Sequence, residues 1–129
     1  MTYTGTPAYP HTTSEGGEAM GIVLINATGS TATSVGIPIM NYRERAIIFH
    51  GTVTSNNCVF TVDVSPDNSN WHTVDVLYDA NGEDAPAASV TISTTGSKMA
   101  MVPYPANYLR VKATVTITGT YSAIFVGRS

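Results

Sequence analysis

Residues 108–118 read YLRVKATVTIT, and every second residue is apolar. Leu109, Val111, Ala113, Val115 and Ile117 fall on one side of an extended chain; Arg110, Lys112, Thr114, Thr116 and Thr118 fall on the other. A period of two matches a pleated strand with one face buried and one face wet, and no helix satisfies it. Similar runs recur along the chain. Cys58, Phe60, Val62 and Val64 alternate inward, and residues 89–93 (SVTIS) repeat the pattern. Further strand-like runs occupy residues 20–26, 35–40, 46–54, 71–78, 98–102 and 121–126. Pro38 lacks an N–H for the ladder, so residues 35–40 should lie at an edge or a bulge. No segment shows a sustained period of 3.6. Residues 40–46 allow one helical turn but are too few for a helix stable on its own.

Strands spaced near ten residues apart predict an all-β fold, an antiparallel β-sandwich or jelly roll of about eight strands. Ser55-Asn56-Asn57 separates residues 46–54 from Cys58 and makes these two runs the clearest hairpin candidate. Gly119-Thr120 similarly turns residues 108–118 into residues 121–126, and the polar stretches 27–34 and 79–86 read as loops. A chain of 129 residues suits one domain with a core large enough to be stable without disulfide or metal. The single cysteine agrees: Cys58 lies in an apolar alternation and reads as a small buried hydrophobe.

Residues 1–18 (MTYTGTPAYPHTTSEGGE) differ from the rest. They hold two prolines and three glycines and no apolar period, so they predict an extended N-terminal arm outside the core, followed by a sandwich domain at 19–129. At about 3.3 Å per residue such an arm reaches up to roughly 60 Å. Tyr3, Pro7, Tyr9 and Pro10 are its candidate contact residues, because aromatic side chains are enriched where protein meets protein.

Charged residues make up 12% of the chain, about half the usual share of roughly 25%. Thr, Ser, Asn and Gly fill the deficit. Neutral polar groups lose their water at lower cost than ions do, so such a surface suits a protein that packs against other protein. Six Lys plus Arg, a net charge of −3 and the lack of a basic run argue against nucleic-acid binding. No stretch approaches the apolar length of a membrane helix, and the first residues lack the basic start and apolar block of a secretory signal.

No catalytic constellation is legible, and none is expected to act with a cofactor. His11, His50 and His72 lie far apart and form no metal-binding pair spacing. His50, within an apolar strand, reads as an interior or interface histidine. Glycine-framed serine elbows and phosphate-cradling loops are missing. Two oxygen-rich loops, Asp79/Asn81/Glu83/Asp84 and Asp67/Asn68/Asn70, are either turn chemistry or weak calcium sites. Trp71, directly after the second loop, is the candidate for stacking on a sugar ring, the alternative being that it plugs one end of the sandwich.

Two segments resemble small virion proteins of tailed bacteriophages. In residues 62–74 (VDVSPDNSNWHTV), Ser65, Asp67 and Trp71 match a strand ending in Ser-x-Asp-Gly-x-x-Trp, with Asn68 in place of the glycine; Asn tolerates the left-handed backbone such a turn requires. The ending from Tyr108 through Gly119 and Thr120 to Tyr121 is similar to their closing hairpin. The resemblance covers residues 58–127 and implies a capsid decoration (cement) protein, made in the host cytoplasm and seated on the outer capsid surface. Its implied partners are the major capsid protein and other copies of itself, as a homodimer or homotrimer. The alternative is a virion-surface or tail-associated module that binds a host surface glycan through Trp71.

Overall fold

The computed structural model describes residues 6–7, 19–55, 57–79, 84–115 and 118–129. The chain is all-β, a sandwich of two antiparallel sheets. In chain order the strands are β1 (Thr6–Pro7), β2 (Ala19–Thr28), β3 (Ala32–Thr33), β4 (Ile37–Pro38), β5 (Glu44–Ser55), β6 (Cys58–Ser65), β7 (His72–Val74), β8 (Val76–Asp79), β9 (Asp84–Ala87), β10 (Val90–Ile92), β11 (Gly96–Met101), β12 (Tyr108–Val115) and β13 (Thr118–Arg128). One sheet has the order β1-β2-β13-β5-β11-β8-β9; the other has β10-β6-β12-β3, with β7 on β6 and β4 on β12. Among the described residues no helix is long and apolar enough to cross a membrane.

The alternating residues meet between the sheets. Ile47, Phe49, Tyr121, Ala123 and Phe125 from the seven-stranded sheet pack with Cys58, Phe60, Val62, Leu109, Val111 and Ala113 from the other. Phe60 sits at the centre, 4.5 Å from the Phe49 ring and 5.4 Å from the Tyr121 ring, the latter edge-on. Burial of this kind contributes about 1.5–3 kcal/mol per large side chain, the main favourable term in the fold. Buried Tyr121 keeps its hydroxyl satisfied by donating to the Ser30 carbonyl at 2.6 Å. Lys98 reaches from β11 to the Thr91 carbonyl on β10 at 2.7 Å and ties the two sheets at one edge.

Several expected pairings differ. β5 and β6 are not a hairpin: β5 lies between β13 and β11, whereas β6 lies between β12 and the pair β7/β10. β5 ends at Ser55 in one sheet and β6 begins at Cys58 in the other, since both edges of β5 are already paired. β12 and β13 are likewise divided between the sheets, so they do not form the expected closing hairpin. The run expected as one strand at 71–78 breaks at Asp75 into β7, which joins β6, and β8, which joins β11. Two stretches read as loops hold the short strands β3 and β9. Pro38 lies in a two-residue strand paired on β12 alone, as a residue without an N–H requires. Residues 40–46 hold a turn, closed by Tyr42 N–H donating to the Ile39 carbonyl at 3.0 Å, and then enter β5.

Candidate functional site

The loop from β6 to β7 sets up the most organised polar corner of the molecule. Asp67 is its organiser. One carboxylate oxygen accepts the backbone N–H of Ser69 at 2.9 Å and of Asn70 at 2.8 Å; the other accepts the Asn70 side-chain amide at 2.6 Å. Ser65 Oγ donates to the same carboxylate at 3.0 Å. The backbone and side-chain N–H groups of Asn70 and the N–H of Ser69 hold the Asp67 carboxyl well below the usual carboxylate range. Asn68 takes the left-handed conformation, with φ of 63°, as its place in the motif requires. Asp67 is therefore occupied in closing its own turn, the turn-chemistry reading of this loop.

The turn delivers Trp71 to the outer side of the six-stranded sheet. The Arg110 guanidinium lies over the indole, 4.4 Å from the ring centroid. Arg110 Nε also donates to Asp63 at 2.9 Å, and the Thr73 hydroxyl donates to the same carboxylate at 2.7 Å. The Asp63 side chain is only 3% exposed, so this ion pair is roofed by its neighbours. Gly36 completes the corner. A Cβ there would come within 2.7–2.8 Å of the Trp71 ring and would collide with the Asn68 side-chain oxygen. Trp71 is half-buried and holds Arg110 on one face, so a sugar stacking there would use the remaining surface or displace the guanidinium.

Beside this corner a cleft of about 380 Å³ is lined by Val64, Ser65, Pro66, His72, Pro105, Ala106 and Asn107. Asn107 shapes its rim by donating its side-chain amide to the Pro66 carbonyl at 2.9 Å. The lining is mostly apolar with a few polar atoms, the chemistry of a site that binds by shape and a few hydrogen bonds. Sequence reasoning picked Trp71 but missed Arg110 and the cleft, because Arg110 is distant along the chain and meets Trp71 only through the β6–β12 pairing.

Other candidates fall elsewhere. His50 is exposed on the outer face of the seven-stranded sheet, with Nδ1 2.7 Å from Ser97 Oγ. It is not interior, because Phe49 and Gly51 take the inward positions on either side. His72 lines the cleft, and His11 lies outside the described residues. Cys58 is fully buried, and burial pushes its thiol up to about 12, so it packs as a small hydrophobe. Among the described residues no group of three or more His, Cys, Asp and Glu side chains could hold a metal ion. Asn81 and Glu83 of the other oxygen-rich loop lie outside the described residues, and Asp79 pairs with Asp84 where β8 meets β9. Of the arm residues, Tyr3, Tyr9 and Pro10 also lie outside them. Pro7 does not stand free: with Thr6 it forms β1, paired to Ile22 and Val23 at the edge of β2, where its missing N–H is tolerated.

No family model matches the sequence. No curated protein matches it either. The fold does have solved counterparts. The crystal structure of SPBc2 prophage-derived protein YomS matches with a TM-score of 0.68 over 86% of this chain and 93% of that one, at 12% identity. A CBM4 structure matches with a TM-score of 0.45 over 97% of this chain and 78% of that one, at 9% identity. The enzymatically active domain of bacteriophage CBA120 tailspike protein 4 matches at 0.45 over 87% of this chain and 14% of that one, at 12% identity. At these identities the likeness is one of fold: the chain shares a β-sandwich with the first of these over most of both chains.

Proposed function

We propose that this chain is a structural protein of a phage virion, a decoration or cement protein that stabilises the head by bridging capsomers on the outer shell. The observation that carries the reading is the fold shared with a prophage-derived protein over nearly the full length of both chains. The surface chemistry supports it. With 12% charged residues, the surface is built largely of hydroxyls and amides that dehydrate at modest cost against the major capsid protein or another copy of the chain. The work is mechanical. A well-packed contact of about 1,600 Å² per joint adds binding energy that opposes the outward pressure of packaged DNA. The arm supplies a second attachment through Tyr3, Tyr9 and Pro10, with Pro7 anchoring its start on β2.

The test compares particles formed with and without the gene. Particles lacking the protein should release DNA at lower temperature, and adding the purified chain back should restore them. Unchanged heat resistance contradicts the reading.

The cleft beside Trp71 favours one further reading, in which the same virion protein binds a host surface glycan at that corner. Glycan-array binding that disappears in Trp71→Ala, with the fold intact, would select it; an array with no signal removes it.

A further inference from the structure

The two outer faces of the sandwich are unlike. On the six-stranded sheet the outward positions are mostly polar, with Asp63 opposite Arg110, Thr61 opposite Lys112 and Val59 opposite Thr114. On the seven-stranded sheet two neighbouring outward rows are apolar. Register places Met99 beside Ile48, Ile48 beside Ile124, and Ile124 beside Val23. The next row sets Met101 beside Ala46 and Ala46 beside Val126. Met99 is 57% exposed, and Ile48, Ile124, Val23, Met101 and Val126 are each half-buried. The sequence of these strands carries the same message. β2 contains GIVLI, β5 AIIF and β13 AIFV, runs apolar on both faces, as in strands covered on both sides. Among the described residues only the inner side is covered.

We infer that this stripe is the contact face of a two-fold homodimer, packed sheet to sheet. The stripe is complementary to a second copy of itself. A two-fold axis along the strands, midway between β5 and β13, lays β5 of each copy over β13 of its partner. Ile48 then faces Ile124, Ala46 faces Val126, and the row ends Met99 and Val23 face each other. The charges at the rim also match. Glu44 and Arg128 are cross-strand neighbours, their side chains 65% and 55% exposed, with a long contact of 3.8 Å. The same axis sets Glu44 of each copy opposite Arg128 of the other, on side chains long enough to absorb the usual sheet-to-sheet angle of about 30°. Four strands by two rows span roughly 20 by 10 Å. That is the core of a modest interface, smaller than the roughly 800 Å² per partner of a standard one, so the dimer is weak and concentration-dependent. The inference does not depend on the virion reading.

Sedimentation velocity of the full chain tests it. The wild type should shift from monomer to dimer with concentration, with dimer populated at about 100 μM. Ile124→Lys, outward-facing and outside the core, should stay monomeric with an unchanged far-UV spectrum. Glu44→Arg and Arg128→Glu should each weaken self-association about ten-fold, the scale of two exposed pairs turned repulsive. Mixed one to one, these two variants should form a heterodimer, an outcome that the contact within one chain cannot produce. A wild type monomeric at every concentration overturns the inference. So does a dimer that survives Ile124→Lys, or a pair of rim variants that fails to associate when mixed.

Discussion

At the residue scale, the polar corner rests on two side chains whose partners are unambiguous. Asp67 closes its turn as a carboxylate, with its pKa depressed in the fold. A depressed acid contributes stability above its unfolded pKa and loses it as pH falls through the folded one. The contribution is thus complete at neutral pH and declines below about pH 4, the unfolded value. Asp67→Asn should therefore melt below wild type at pH 7, and thermal melts down the acid range should show that deficit shrinking. Arg110 acts differently: it covers Trp71 while anchored on Asp63. Trp71 is the only tryptophan in the chain, so its fluorescence reports this corner alone. Arg110→Met should red-shift the emission and increase quenching by acrylamide. Loss of the cation–π contact and of half of a roofed ion pair should cost about 1–3 kcal/mol in denaturant unfolding.

At the scale of elements, the sequence carries faces better than it carries pairings. Period-two alternation identified the inward sides of β6 and β12, since Phe60, Val62, Leu109 and Val111 are all buried. It did not reveal that β5 and β6, or β12 and β13, belong to different sheets, because Asn and Gly turn signals serve a hairpin and a crossing equally well. The break at Asp75 was hidden for a similar reason: both halves of residues 71–78 have strand composition, and only the competition between β6 and β11 for partners separates them. β9 escaped notice because its four residues include Pro86 and two alanines. At the candidate site, the Asp67 turn and Trp71 were legible as a local motif, whereas Arg110 and the cleft arise from chain segments far apart. Gly119 shows what the crossings demand. Its φ is 141°, at a register shift that opens β13, and a Cβ there would collide with the Thr52 carbonyl. Gly119→Ala should cost about 1–3 kcal/mol from backbone strain. Phe60→Ala should cost about 3–5 kcal/mol, since it empties the space between Phe49 and Tyr121. Chemical denaturation would rank the two, with Phe60→Ala the larger.

At the scale of the molecule, the described residues form a sandwich with three unlike exteriors. One sheet is polar outside, with Arg110, Lys112 and Thr61 on its surface, while the other presents the stripe of Met99, Ile48 and Ile124. A loop corner with a cleft closes one end. Such a division suits a building part that meets several neighbours at once. The low share of charged residues, 12% of the chain, suits the same use. The most direct measurement is quantitative mass spectrometry of purified particles from the source that encodes the chain, read against the major capsid protein. A decoration protein should be present in numbers commensurate with the shell's capsomers and should remain through density-gradient purification. Particles that contain none of it, or a few copies unrelated to the shell's count, would contradict the cement role.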